Sequence, residues 1–458
     1  MEKTVCELFA GVGGFRCGLN AIKTINDTSK PEKWDTVWFS QWEPGKKDQW
    51  AHDCYINRFG QSLDLKGQDT TNIDIAAVNK EDIPDHTLLV GGFPCQDYSV
   101  ARSLSGEKGI EGKKGVLWWS IRDVIKAKMP PFVLLENVDR LVKSPSKQRG
   151  RDFGIILACL HEEGYIAEWR IINAAEYGYV QRRRRTFIFA YKKDSDYGKA
   201  VVKSISLDSD ALVQAKCLFE SAGFFAQAFP IEPLGDAAKI RATTLSSDIV
   251  DVSDNFQFQF ESTGFMIDGK VYTYKTTPIK CKPTLLGEVL EAHEVPKKYF
   301  IPDGKLYYTD PEQKYSDETE HELPKESRQT WQYLKGGKKR LRTSTNGHEY
   351  VFSEGPIPMI DEWDAPARTM LTSEGSFNRS THIVRDKVSN RIRILTPIET
   401  ERIQGFPDDW TKECLVNGEI VPMPERMRYF CMGNALVVNL IAQMEPVLCK
   451  IVENEQQQ

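Results

Sequence analysis

The sequence predicts an α/β protein: a mostly parallel sheet built from both ends of the chain, interrupted by a smaller inserted domain of β-rich or irregular character. Three observations lead there. Over the first ~190 of 458 residues, short apolar runs alternate with amphipathic helical segments, which is the pattern of βαβ units. From about residue 192 to about residue 365 that alternation lapses into short strand-like pieces and polar turns. Near the end the α/β pattern resumes, so the chain returns to the domain it began.

Each element has its own signal. Strands are expected at 4–9 (TVCELF), 35–40 (DTVWFS), 86–92 (HTLLVGG), 132–137 (FVLLEN), 167–173 (AEWRIIN) and 186–191 (TFIFAY). The stretches VLWWSIRDVIKAK and FGIILACLHEEG carry apolar residues at helical spacing. In the middle, DNFQFQFESTGF, DGKVYTYKTTP and KYFIPDGKLYYTD read as short strands with turns. After that, Thr396 with Glu399 three residues on forms a capping box that opens a helix. MGNALVVNLIAQMEPVLCKIV then reads as a loop followed by a buried helix. The expected division is 1–191 plus 392–458 for the first domain and 192–391 for the insert, its variable part about 192–365.

Bulk properties exclude several classes. At 40% hydrophobic and 27% charged residues the chain has globular composition. No apolar run approaches the ~18 residues of a membrane span, and the N-terminus lacks the features of a secretory signal, so a cytoplasmic location is expected. The ten cysteines contain no C-x-x-C pair and the seven histidines are dispersed, so neither a metal centre nor a disulfide scaffold is expected. Net charge is −5. Basic residues nonetheless cluster in QRRRR (181–185) and KGGKKRLR (335–342), and local patches govern phosphate binding.

Several stretches carry chemistry. In ELFAGVGGFRCGL, Gly11, Gly13 and Gly14 allow backbone to approach a ligand closely between a strand and a helix. Arg16 stands where a dinucleotide fingerprint needs its third glycine, so the loop suits a smaller adenosine-containing ligand such as S-adenosylmethionine; a plain glycine turn is the alternative. Glu43, after the second strand, is placed to hold a ribose. Asp74 is a candidate for an adenine amino group, with Ile75 for its ring. Pro94-Cys95 begins the loop at the carboxyl end of the third strand, where a thiolate can meet substrate; a buried, inert cysteine is the alternative. The polar 96–115 stretch has lid-like composition. Glu136 ends another buried strand, with Asn137 beside it as a potential helix cap. Arg183 and Arg185 share a side before the sixth strand and suit phosphate or base contacts.

FAGVGGF, GGFPCQDYS, LLENV, QRRRR, ARTMLTS, LTPIETERIQGFP and MGNALVV, in this order, resemble the cytosine-C5 DNA methyltransferases of bacterial restriction–modification type. The resemblance covers 1–191 and about 365–445, and the unmatched middle occupies the place of that family's target recognition domain. It implies a Rossmann-like S-adenosylmethionine-dependent methyltransferase fold. Cys95, its loop shaped by Pro94, would add to cytosine C6, after which C5 takes the methyl group. Glu136 would hydrogen-bond N3 and the exocyclic amine. Arg185 and Arg183 would contact cytosine O2, a phosphate or the catalytic loop. Phe9, Gly11, Val12, Gly14, Glu43, Asp74, Ile75, Asn434 and Ala435 would form the pocket for S-adenosylmethionine, leaving S-adenosylhomocysteine as product.

The resulting expectation is a sequence-specific enzyme acting on double-stranded DNA, with the target cytosine flipped out of the duplex. It is expected to be a monomer without a membrane or metal partner, with a cognate restriction endonuclease as a separate protein. Two other readings share these motifs: a tRNA cytosine-C5 methyltransferase, disfavoured by the long insert, and a catalytically inactive DNA-binding relative, disfavoured by intact Cys95 and Glu136. In the insert, Lys338, Lys339 and Arg340 are expected to face DNA.

Overall fold

The computed structural model describes residues 1–93, 117–206, 211–307, 326–343 and 347–455. All six expected strands form: β1 (Thr4–Leu8), β2 (Asp35–Ser40), β3 (Leu88–Gly92), β4 (Phe132–Val138), β5 (Tyr165–Asn173) and β6 (Arg184–Lys192). Three more, β7 (Arg241–Thr244), β8 (Thr263–Ile267) and β9 (Lys270–Tyr274), complete one nine-stranded sheet in the order β2-β1-β3-β4-β6-β5-β8-β9-β7. The strands β2, β1, β3 and β4 pair in parallel. From β4 outward the pairings are antiparallel, so the parallel part expected from the βαβ pattern is one half of a mixed sheet.

Residue alternation explains why the central strands read as continuous apolar runs. Val5, Leu88, Val90, Phe132, Leu134, Phe187 and Phe189 enter one core layer. Their neighbours Cys6, Leu8, Leu89, Val133, Leu135, Ile188 and Ala190 enter the other. Successive side chains of a strand point to opposite faces, so a strand covered on both sides must be apolar throughout.

The first layer is closed by α1 (Gly14–Leu19) and the helix Val438–Asn454. The second is closed by α3 (Leu117–Lys128) and α4 (Arg151–Glu162); α2 (Trp50–Phe59) lies against the hairpin that starts at Glu413. The C-terminal helix is held to α1 at closest range: a Cβ on Gly18 would lie 2.5 Å from Ile441 Cβ. Its buried Leu440, Ile441, Met444, Leu448 and Ile451 each stabilise the fold by roughly 1.5–3 kcal/mol through burial. That contact is why the chain end returns to the first domain.

Segment 192–391 behaves in two ways. Up to Tyr274 it extends the sheet through β7, β8 and β9. Beyond, it forms short helices, an isolated ribbon pairing Lys338–Thr343 with Glu349–Glu354, and a small pair Ile383–Arg385 with Ile392–Ile394. The capping box occurs as read: Thr396 Oγ1 accepts from Glu399 N, and Thr396 N donates to Glu399 Oε2 at 2.8 Å, opening the helix Pro397–Gln404.

Candidate active site

The chemistry-bearing residues gather along one edge of the sheet, at the carboxyl ends of its parallel strands. Register sets Leu8 opposite Ser40 on one side and Gly91 on the other, and Gly92 opposite Glu136. Neighbouring strands lie about 4.8 Å apart, so this row spans only ~15 Å. Open parallel sheets bind ligands in such a place.

The glycine loop leaves β1 through left-handed backbone at Phe9 (φ 55°), Gly11 (57°) and Gly13 (87°). Its glycines differ in purpose. A Cβ on Gly13 would lie 2.6 Å from the Phe59 ring and one on Gly14 would lie 3.1 Å from Leu436, whereas one on Gly11 meets nothing within 4 Å. Gly13 and Gly14 serve packing, and Gly11 faces open space. The loop is pinned from outside: Gly11 N donates to Gln41 Oε1 at 2.7 Å, and Trp410 Nε1 donates to the Val12 carbonyl at 2.8 Å. Beneath it, Glu7 is buried and accepts from Tyr55 OH at 3.0 Å. Burial pushes its carboxyl up to about 7, against the pull of Tyr55 and Arg16.

Glu43 follows β2 and is half-buried, with its backbone N–H donated to Gln49 Oε1 at 2.7 Å. Burial raises its carboxyl above the ordinary value, with Lys46 opposing. The loop carrying Asp74 is tied to the end of β2, because Gln41 N donates to the Thr71 carbonyl. Asp74 Oδ1 caps Ala76 N at 2.9 Å, and Ile75 is buried in the layer of Leu8 and Phe93. Asn434 ends the helix Glu425–Asn434 and is exposed, and Ala435 follows it. Both sit between Leu436, which covers Gly14, and Gly433, whose carbonyl meets Arg183. The structure therefore brings the chain end to the edge that carries the glycine loop.

On β4, Glu136 Oε1 lies 2.8 Å from Arg185 Nε, and the two side chains keep only 13% and 15% of their surface exposed. Gly92 leaves room for this carboxylate: a Cβ there would be 3.4 Å from Glu136 Oε2. Asn137 does not cap a helix; its Nδ2 donates to the Phe93 carbonyl at 2.7 Å. The chain is thus latched to Glu136's strand where it leaves β3. Pro94, Cys95 and the 96–115 stretch lie outside the described residues.

Arg183 is placed differently from Arg185. It is turned inward, 2% exposed, with Nη1 donating to the Met370 carbonyl and Nη2 to the Gly433 carbonyl, both at 3.0 Å. Burial, with Arg185 close by, pushes its guanidinium down to about 9, still charged at neutral pH. It joins three distant parts of the chain. Arg182 and Arg184 are the exposed members, Arg184 lying 3.5 Å from Asp139.

A model of the C-5 cytosine-specific DNA methylases matches residues 3–448. This chain belongs to that family. The methylase is 47% identical over 449 residues to the Type II methyltransferase M.Sau3AI of Staphylococcus aureus, covering 98% of this chain and 95% of the relative. It is 29% identical over 188 residues to M.HhaI of Haemophilus parahaemolyticus, covering 41% and 49%. By structure it is similar to the Entamoeba histolytica methyltransferase EhMeth (TM-score 0.52, 14% identity, 99% of both chains). It is similar also to the S. pombe Dnmt2 methyltransferase (TM-score 0.50, 14% identity, 99% of both). At these identities the structural likeness speaks for the fold alone.

The methylase therefore transfers methyl groups to cytosine C5 in DNA. Reading the sequence missed what holds this site, taking Asn137 for a helix cap and passing over the others. Gln41, Asn137, Gln404 and Trp410 all bond backbone at or beside it; Gln404 Nε2 donates to the Met432 carbonyl at 2.6 Å. None has a local signature, because each acts on a segment remote in sequence. The one available hint was polar residues, such as the Gln in WFSQWEP, embedded in otherwise apolar surroundings.

Proposed function

We propose that the methylase uses Cys95 as a covalent nucleophile on a cytosine flipped out of duplex DNA, with S-adenosylmethionine as methyl donor. The Glu136–Arg185 pair beside the exit of β3 carries this reading. Cys95 follows Phe93 by two residues, and two residues of chain span at most ~7 Å. Phe93 is fixed to Glu136's strand by Asn137, which supports reading the cysteine two positions further along the sequence as a partner of Glu136.

The Cys95 thiolate adds to C6, breaking the C5–C6 double bond and making C5 enamine-like. C5 then forms its bond to the donor's methyl carbon while the carbon–sulfur bond of the donor breaks. Loss of the C5 proton to a base or water restores the ring and expels the thiolate. Glu136 hydrogen-bonds N3 and the exocyclic amine, offsetting the charge that develops on the ring as the thiolate adds. Arg185 orients that carboxylate and is assigned the contact to O2. Arg183 is a positioning residue behind them.

The open space over Gly11 and the half-buried Glu43 suit an adenosyl ligand. Phe9, Gly11, Val12 and Gly14 would lie along it, Glu43 would take the ribose hydroxyls, Asp74 with Ile75 the adenine, and Asn434 with Ala435 the closing side. The donor supplies an electrophilic methyl, leaving S-adenosylhomocysteine. Segment 192–391 is assigned to target recognition and 1–191 with 392–458 to catalysis. Residues from both ends of the chain contribute to the proposed site, which suits a monomer. Similarity to a Type II methyltransferase suits a partner endonuclease acting separately.

Trapping on duplex DNA containing 5-fluorocytosine tests the assignment, because fluorine at C5 blocks expulsion of the thiolate. The wild-type protein with S-adenosylmethionine should form a covalent complex and Cys95→Ser should form none. An adduct formed by Cys95→Ser would remove Cys95 as nucleophile.

A further inference from the structure

The ribbon pairing Lys338–Thr343 with Glu349–Glu354 stands apart from the large sheet. Its register puts Lys339, Leu341 and Thr343 opposite Ser353, Val351 and Glu349, all on one face. Lys338, Arg340 and Arg342 occupy the other face and are engaged within the protein. Lys338 Nζ donates to the Tyr333 and Leu334 carbonyls at 2.9 and 3.1 Å, and Arg340 Nη2 donates to Tyr333 OH at 2.6 Å. Arg342 lies 3.7 Å over the Phe352 ring. Arg379 fastens the base, donating to Glu354 Oε2 at 3.0 Å and to the Gly336 carbonyl at 3.3 Å. A lone two-stranded ribbon is marginal in water, so these anchors hold a stiff projection.

The outer face is unlike an ordinary solvated one. Leu341 and Val351 form a cross-strand apolar pair, 65% and 56% exposed, bracketed by Lys339 and Ser353 on one side and Thr343 and Glu349 on the other. The charged residues of this face are Lys339 and Glu349, the other three basic residues of 338–343 lying on the opposite face. Apolar contacts meet the thymine methyl, hydroxyls meet base edges and a lysine meets phosphate or guanine. A two-stranded ribbon also fits the ~12 Å major groove.

We propose that the ribbon's outer face, with Lys339, Leu341, Val351 and Ser353, enters the major groove of the substrate duplex and selects its bases. The proposal rests on the assignment of DNA as substrate, and it moves the expected contact from Lys338 and Arg340 to Lys339 and its apolar neighbours. Bisulfite sequencing of DNA from cells expressing the wild-type protein first gives the methylated site. Leu341→Asp and Val351→Asp should then lower kcat/KM on a duplex carrying that site at least 10-fold, with affinity for S-adenosylmethionine within two-fold of wild type. Lys339→Ala should flatten the slope of log binding constant against log salt by about 0.9. The milder Leu341→Ala/Val351→Ala double variant should methylate additional sequences. Wild-type kcat/KM in both aspartate variants, with an unchanged salt slope in Lys339→Ala, overturns the proposal. Absence of methylation by the wild-type protein would instead overturn the assignment of DNA.

Discussion

Replacing Arg183 with Met should unfold the methylase far more readily than the same change at its neighbour Arg184. Arg183 makes two charged hydrogen bonds of 3.0 Å to the Met370 and Gly433 carbonyls, and is 2% exposed. Hydrogen bonds to a charged group contribute about 1.5–3 kcal/mol each. Methionine fills much of the same volume but leaves both carbonyls buried without these donors, so the loss should be roughly 3–5 kcal/mol. The Arg184 side chain is 58% exposed and its Asp139 partner 3.5 Å away is 44% exposed, so Arg184→Met should cost less than about 0.5 kcal/mol. Urea unfolding followed by tryptophan fluorescence measures both. Arg185→Met, in the same run, should reduce methyl transfer sharply because it frees Glu136. If Arg183→Met fell within about 1 kcal/mol of Arg184→Met, the clamp would not be what joins the chain's distant parts here.

Three further outcomes follow from the glycine loop, the network beneath it and the helix it opens. Burial pushes Glu7, and likewise Glu168, up to about 7. Such an acid stays protonated in the fold after the unfolded chain has lost its proton, so its contribution is full below about pH 4.5 and fades as pH rises through 7. Glu7→Gln should flatten that decline in unfolding free energy, and an equally steep decline in the variant would show that Glu7 does not cause it. Gly11→Ala meets no atom within 4 Å but must hold φ 57°, at about 1–2 kcal/mol. Calorimetry should find its affinity for S-adenosylmethionine reduced at least 10-fold, and an unchanged affinity would take Gly11 out of the donor site. Gly18→Ala, clashing with Ile441 Cβ at 2.5 Å, should lower stability by about 1–3 kcal/mol and leave donor affinity unchanged.

By itself the sequence determined the elements whose causes are local. Apolar runs doubly buried in a sheet, left-handed glycines after β1 and a capping box at Thr396 depend on neighbours within a few residues, so the six strands and the helix start are legible. The motif order further determined the family. Only the tertiary structure decided what depends on pairs far apart in the chain. Arg183 and Arg185 stand two positions apart in the same basic run, yet one is spanned by carbonyls from residues 370 and 433 and the other faces Glu136. The sheet likewise turns antiparallel after β4 and recruits β7, β8 and β9 from the insert, since strand pairing is set by which edges meet. A residue's type and spacing limit what it can do; which remote backbone satisfies its buried polar atoms decides what it does.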